Sequence, residues 1–153
     1  MALKGKIGAE IEIQSSASKF FNLFATQLHE VQNMTDEVHE TKLHKGDWHG
    51  VGSHSVKHWT FTSDGKVTTC KENFEEIDEE NKSLTFNLFD GDIGEQYKRL
   101  KAKLKVIDNE EKGGLAKWTY EYEKTHEAIP PPHSYLNFAI QVSRDVDAHL
   151  IKA

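Results

Sequence analysis

Cysteine, proline and long apolar runs are scarce in this chain of 153 residues. Its single cysteine, Cys70, excludes an internal disulfide framework, because disulfides need pairs. We interpret Cys70 as a small buried thiol. No window reaches the roughly 18 consecutive apolar residues of a membrane-spanning helix, and the first residues lack the apolar core of a signal peptide. We therefore expect a cytoplasmic protein without a membrane partner.

Basic residues are also fewer than acidic ones. The chain has 19 lysine and arginine residues against 25 aspartate and glutamate residues, which gives a net charge of -6. The basic residues form no contiguous stripe that would contact a phosphate backbone, so nucleic acid is not an expected partner. The length fits one domain over residues 1–153, large enough to bury a core without disulfides or metals. We expect a monomer.

Alternation of apolar and polar residues is the dominant pattern. Segments 100–106 and 118–124 place apolar or aromatic side chains at every second position, with charged residues between them. This period of two is typical of antiparallel strands with one apolar and one solvated face. The predicted strands cover residues 7–13 and 36–44, two strands that meet in a hairpin at 63–65, and residues 84–88, 97–107 and 115–124. Further turns are predicted at 78–82 and 109–114, and a break at 90–92.

Helical spacing occurs at two places. Between residues 20 and 31, behind capping serines, apolar residues recur as in one helix or two short ones. Residues 131–151 form a longer amphipathic stretch, and Pro131 and Pro132 suit a helix start. The predicted order is strand, short helices, six strands and long helix, an α+β layout. A twisted seven-stranded sheet forms a trough that a helix of about 30 Å can cover.

Four short motifs stand in a fixed order: GDWHGVGS at 46–53, IDEENKS at 77–83, DGD at 90–92 and YEYEK at 120–124. Together they resemble the plant major latex protein family of the Bet v 1, or pathogenesis-related class ten, superfamily. The similarity extends from residue 4 to residue 152. The resemblance implies a helix-grip fold, in which a curved seven-stranded antiparallel sheet surrounds a long carboxy-terminal helix and two short helices form a V. It also implies a large apolar cavity between sheet and helix, and no cofactor.

An apolar sheet face is ordinarily a packed core, but the resemblance favours a cavity here. Small residues at Ala102, Ala116 and Ala139 are compatible with space between the layers. The facing of residues 53–62 stays open, because family members often carry a shorter, more aliphatic strand there. The predicted ligand-binding residues are Phe20, Phe24, Val38, Trp59, Phe61, Phe86, Leu88, Leu100, Ala102, Leu104, Trp118, Tyr120, Tyr122, Tyr135, Phe138, Ala139 and Val142.

Catalytic candidates are few. Tyr120 and Tyr122 offer phenols within an apolar wall, and Glu40, Glu72 and His58 are the side chains that could join them. Desolvation would raise the pKa of an inward-facing glutamate and suit it to proton transfer. These five residues form the only catalytic group that the sequence suggests, and the assignment of their facing is open near bulges.

Two other patterns have a structural interpretation. Gly46, Gly50 and Gly52 could expose backbone amides to a phosphate, yet the lysine and hydroxyl pair of a nucleotide loop is missing. We interpret this glycine-rich loop as a tight connection. Histidines recur at residues 39, 44, 49 and 54, with His58 behind them. Odd intervals place strand neighbours on opposite faces, so no metal site is expected.

Two functions therefore follow from the resemblance. The first is binding and carriage of small hydrophobic plant metabolites, such as hormones, sterols, flavonoids or terpenoids, in defence or stress. The second is a cofactor-free cyclase or isomerase of an iridoid or alkaloid intermediate, which would use the same cavity to control stereochemistry. A ribonuclease would need acid-base groups beside a basic groove, and an interaction module in defence signalling would leave the cavity without a role.

Overall fold

The protein, described here as a computed structural model over residues 3–109 and 113–152, is built on one antiparallel sheet of seven strands. The strand order is β1-β7-β6-β5-β4-β3-β2. In chain order the elements are β1 (Lys4–Ile13), α1 (Ala17–Thr26), a 3-10 helix (Leu28–Asn33), β2 (Val38–Lys45), β3 (Val56–Ser63), β4 (Lys66–Asp78), β5 (Ser83–Phe89), α2 (Gly91–Gln96), β6 (Tyr97–Asp108), β7 (Gly114–Lys124) and α3 (His133–Lys152).

The predicted α+β helix-grip layout is confirmed, with β1 at one edge of the sheet and β2 at the other. The predicted hairpin joins β3 to β4, where Asp64 and Gly65 have φ angles of 52° and 75°. Two successive positive φ values give the turn that matches the twist of flanking strands. The turn predicted at 109–114 falls largely on residues 110–112, which lie outside the described residues.

The helix α2 was not predicted, because residues 90–92 were interpreted only as a break in the strands. Asp90 and Gly91 both have positive φ, 54° and 59°, and they turn the chain out of β5. One carboxylate oxygen of Asp92 then accepts a hydrogen bond from the Thr69 amide at 2.9 Å, which fixes the helix against β4. Six residues are too few for apolar residues to show a helical period.

The first short helix begins where the serine hydroxyls predicted it. Ser16 has extended backbone angles and its hydroxyl accepts from the Lys19 amide at 3.2 Å, as an N-cap residue does. The helical stripe of Phe20, Leu23 and Phe24 is buried against the sheet. The chain forms two short helices rather than one, because Gln27 leaves helical geometry between them.

The long helix α3 crosses the inner face of the sheet and is held at several points. Its 20 residues begin directly after Pro132, whose carbonyl accepts from the Leu136 amide at 3.0 Å. Towards its other end, the Asp147 carboxylate accepts from the Ser15 amide at 2.9 Å and the Ser15 hydroxyl at 2.6 Å. The Gln14 amide also donates to Asp147, at 2.9 Å. No helix in the described part of the chain is long and apolar enough to cross a membrane.

Asp147→Ala removes an acceptor shared by Gln14 and Ser15, which connect β1 to α1. We expect the free energy of unfolding to fall by about 2 to 3 kcal/mol, because the donors are left without a charged acceptor. Urea unfolding followed by circular dichroism measures this. Arg144→Ala, at an exposed position of the same helix, should change the value by less than about 0.5 kcal/mol. An equal effect of the two substitutions would contradict the anchoring role.

Candidate ligand-binding site

A cavity of about 90 Å³ lies between the inner face of the sheet and α3. Side chains from the six strands β2 to β7, from α1, the 3-10 helix and α2, and from α3 contribute to its wall, and nearly all the exposed wall is apolar. The residues that line it are Phe24, Leu28, Val31, Val38, Trp59, Phe61, Cys70, Glu72, Phe86, Leu88, Ile93, Ala102, Trp118, Tyr120, Tyr135, Phe138, Ala139 and Val142.

Most predicted ligand-binding residues are brought together in this wall, and four are not. Phe20, Leu100 and Leu104 are fully buried at 0% exposure and do not border the cavity. Tyr122 is half-buried and its ring packs edge-on against Tyr97, with 6.2 Å between centroids. Alternation correctly places such side chains on the inner face, but it does not distinguish filled from empty regions of that face.

Four lining residues were missed by the sequence analysis. Leu28 and Val31 belong to the same predicted helical stripe as Phe24, so the signal existed, although only Phe20 and Phe24 of that stripe were predicted to bind a ligand. Cys70 lies two positions before Glu72 on β4 and therefore shares its face. Ile93 comes from α2, which the sequence did not predict.

The cavity is smaller than the large one that the resemblance implies. An apolar cavity of about 150 Å³ is enough for benzene, whereas this one measures about 90 Å³. Aromatic rings occupy the remaining space: Phe86 stacks on Trp118 at 6.1 Å, and Phe61 packs on Phe138 at 4.4 Å between centroids. A guest larger than one ring therefore needs some of these side chains to rotate.

A depression on the outer surface adjoins the cavity at Phe138. It has a volume of about 180 Å³ and lies between the β3–β4 hairpin and the first turns of α3. Phe138 is half-buried and lines both spaces. Its ring, packed on Phe61, is therefore a wall between the cavity and the surface.

A buried ion pair forms the polar part of the wall. Lys57 and Glu72 are directly opposite each other on β3 and β4, and their side chains are 0% and 2% exposed. Lys57 Nζ lies 3.0 Å from Glu72 Oε2. The indole Nε1 of Trp59 donates to Glu72 Oε1 at 3.1 Å. Glu72 therefore has a partner on each oxygen while it faces the cavity.

Lys57 was not among the predicted site residues, although its position has a signal. It shares the parity of Trp59 and Phe61, so the inward face of β3 continues through a lysine. Behind the cavity wall, its ammonium group donates to the Trp48 carbonyl at 3.2 Å and lies 4.3 Å above the centre of the Phe74 ring. These contacts enclose the charge away from solvent.

The glycine-rich loop encloses this lysine. Trp48 lies in the loop, and the Gly52 amide donates to the Phe74 carbonyl at 2.8 Å. Gly46 has a φ of 75°, and a Cβ atom there would clash with the His54 carbonyl oxygen, so only glycine fits. These contacts support the structural interpretation of the loop.

The electrostatics of the wall follow from burial. Desolvation raises the pKa of Glu72, while the Lys57 ammonium and the hydrogen bonds from Lys57 and Trp59 lower it. Burial likewise raises the pKa of the Cys70 thiol and of the Tyr120 phenol, so both groups keep their protons at neutral pH. Cys70 is a buried thiol, as predicted.

The other catalytic candidates do not reach the cavity, and the hypothesis that Glu40 faces inward is wrong. Its side chain is 52% exposed and lies 3.4 Å from the Lys42 ammonium. His58 is on the outer face of β3, opposite Lys71 of β4, because alternation places its neighbours Lys57 and Trp59 inward. In residues 3–109 and 113–152, no group of three or more metal-ligating side chains is arranged to hold an ion.

Comparison with known proteins places the whole sequence in one family. The model of the pathogenesis-related protein Bet v 1 family matches residues 2–153. The chain belongs to the Bet v 1 family. It is 38% identical over 152 residues to MLP-like protein 43 of Arabidopsis thaliana, covering 98% of this chain and 95% of that protein.

Two solved structures of known proteins agree with this fold. The crystal structure of major latex-like protein 151 of Panax ginseng superposes with a TM-score of 0.89 at 36% identity, over 97% of this chain and 98% of that one. Norcoclaurine synthase of Thalictrum flavum, solved with dopamine and hydroxybenzaldehyde, gives a TM-score of 0.72 at 18% identity, over 95% of this chain and 88% of that one. The second likeness concerns the fold alone.

Lys57→Met leaves the Glu72 carboxyl buried without its cation. We expect the free energy of unfolding to fall by about 3 to 5 kcal/mol near pH 8. Lys57 lowers the pKa of the buried Glu72 carboxyl, so its removal raises that pKa further above the unfolded value, and the variant loses stability more steeply than the native protein as pH rises. The loss caused by Lys57→Met should therefore be smaller near pH 5. Urea unfolding at both pH values measures it.

Two further variants test the same pair. Replacing both partners, Lys57→Met with Glu72→Leu, should restore most of the stability because no unpaired charge stays buried. Lys42→Met, which breaks the exposed pair with Glu40, should change stability by less than about 0.5 kcal/mol. A double variant no more stable than Lys57→Met alone would contradict this assignment.

Proposed function

We propose that the protein binds and carries a small hydrophobic molecule in the cavity between the sheet and α3. The observation that supports this is the almost wholly apolar space between the sheet and α3. Most elements of the fold contribute side chains to its wall. Ligand sites are typically such apolar concavities with a few polar groups that fix orientation. The resemblance to the major latex proteins favours a plant metabolite as the guest and a role for its binding in defence or stress.

Burial of the guest supplies the binding free energy. Each 100 Å² of apolar ligand surface removed from water contributes about 2.5 kcal/mol before the costs of association. The wall discriminates weakly between guests of different shape, because aromatic rings such as Phe61 and Phe138 can rotate to enlarge the space. A carrier of this kind tolerates related guests, since little of its affinity comes from directional contacts.

Ala139→Leu tests binding in this cavity. The leucine side chain would extend from α3 into the space, so we expect affinity for a fluorescent hydrophobic probe to fall at least about tenfold. Fluorescence titration and displacement with a panel of sterols, flavonoids, terpenoids and hormones measure this, and at least one compound should bind the unaltered protein in the low micromolar range.

The matched control is Ala148→Leu, which adds the same atoms at an exposed position of the same helix. This variant should bind the fluorescent probe with the same affinity as the unaltered protein. Failure of the whole panel to bind the unaltered protein, or equal losses in the two variants, would count against a carrier that uses this cavity.

A second candidate, a cofactor-free cyclase or isomerase, is favoured by one observation. Glu72 places a buried carboxyl with a raised pKa in the wall of an apolar space, which is an environment that suits proton transfer. Positioning of a reactive guest would supply the remaining effect. The test compares the products of a reactive iridoid or alkaloid intermediate with and without the protein, and an identical product distribution would exclude catalysis.

A further inference from the structure

The strong hydrogen-bond donors in the cavity wall are already in use. Trp59 Nε1 donates to Glu72 at 3.1 Å, and Trp118 Nε1 donates to the Ser143 hydroxyl of α3 at 2.7 Å. An indole has one polar hydrogen. Neither indole therefore has a hydrogen left for a guest.

The two phenols of the wall are engaged in the same way. The Tyr120 hydroxyl donates to the Tyr135 carbonyl at 3.0 Å, and the Tyr135 hydroxyl donates to Gln96 Oε1 at 2.6 Å. Among the described residues that line the cavity, the side-chain donor that remains is the thiol of Cys70, which is a weak one. Backbone amides of β3 to β7 lie along the sheet between neighbouring strands and do not point into the cavity.

Acceptors, in contrast, keep free capacity. Each carboxylate oxygen of Glu72 has two lone pairs and receives one hydrogen bond or ion-pair contact. The Tyr120 oxygen keeps its lone pairs while it donates its hydrogen. Lys57 is not part of the lining and is held behind it by Trp48 and Phe74, so the cavity faces the negative end of the ion pair.

We infer that this cavity selects hydrophobic alcohols or phenols, which bring their own hydrogen-bond donor, and rejects carboxylic acids. The inference rests on the proposed function and narrows its ligand class. A guest hydroxyl beside Glu72 finds a carboxylate acceptor there, so neither group is left unpaired. An ionised acid would bury its charge next to another carboxylate with no strong donor to receive it.

Four compounds that share one ring system separate these effects. 2-Naphthol has a donor, 2-methoxynaphthalene has an acceptor only, 2-methylnaphthalene has neither, and 2-naphthoate carries the negative charge. Titration calorimetry near pH 7, where a carboxylic acid is ionised, should rank 2-naphthol tightest and 2-naphthoate weakest, about tenfold or more apart. The ether and the hydrocarbon should bind between them with similar affinities.

The double variant Lys57→Met with Glu72→Leu removes the ion pair from the wall. In it, 2-naphthol should bind no more than about twofold tighter than the hydrocarbon. The matched control replaces the exposed pair instead, Lys42→Met with Glu40→Leu, and should keep the ranking. In the unaltered protein, the ¹³C signal of the Glu72 carboxyl should shift with 2-naphthol and not with 2-methylnaphthalene, a measurement that does not depend on the variant's folding.

The outcomes separate the two proposals. Binding of the hydrocarbon together with equal affinity for 2-naphthoate and 2-naphthol overturns the ligand class and leaves the carrier function standing. An unshifted Glu72 signal, or an unchanged preference in the double variant, also overturns it. If none of the four compounds binds the unaltered protein, the inferred ligand class is overturned; if the panel of sterols, flavonoids, terpenoids and hormones fails as well, the proposed function is contradicted too.

Discussion

Two aromatic side chains of β7 set the spacing between the sheet and its helix. Trp118 and Tyr120 extend from the inner face and donate hydrogen bonds to α3, one to the Ser143 hydroxyl at 2.7 Å and one to the Tyr135 carbonyl at 3.0 Å. Breaking either contact would leave a buried donor unpaired, which costs free energy. The helix is therefore held above the sheet, Asp147 fixes its far end, and the space between the layers persists.

The same arrangement decides the chemistry of the wall. Because the indole and phenol hydrogens hold the framework together, they are not available to a guest, and the wall presents acceptors and ring faces. The Lys57–Glu72 pair adds a fixed polar group without giving its positive charge to the cavity. A buried pair of this kind is a weak source of stability, so its position at the wall suggests a role in choosing ligands.

The sequence predicts the frame of the fold well and the site only in part. Alternation along β6 and β7 and the stripe of α3 depend on periods that local sequence displays directly, and both were identified. The helix α2 is too short to show a period. Lys57 faces inward although such predictions place apolar residues, not charged ones, on the inner face. Its position is explained by Glu72, which lies directly opposite it. Leu100 and Leu104 share a face with Ala102, and of these three only Ala102 lines the cavity, because segments distant in the sequence decide which part of the face is filled.

A crystal pressurised with xenon tests the central claim, a persistent apolar space between sheet and helix, most directly. Xenon occupies dry apolar cavities of this kind without needing a polar contact. The account predicts a xenon peak enclosed by Trp118, Tyr120 and Ala139, with α3 unmoved. Side chains of α3 packed directly onto the sheet, with no xenon between them, would contradict it.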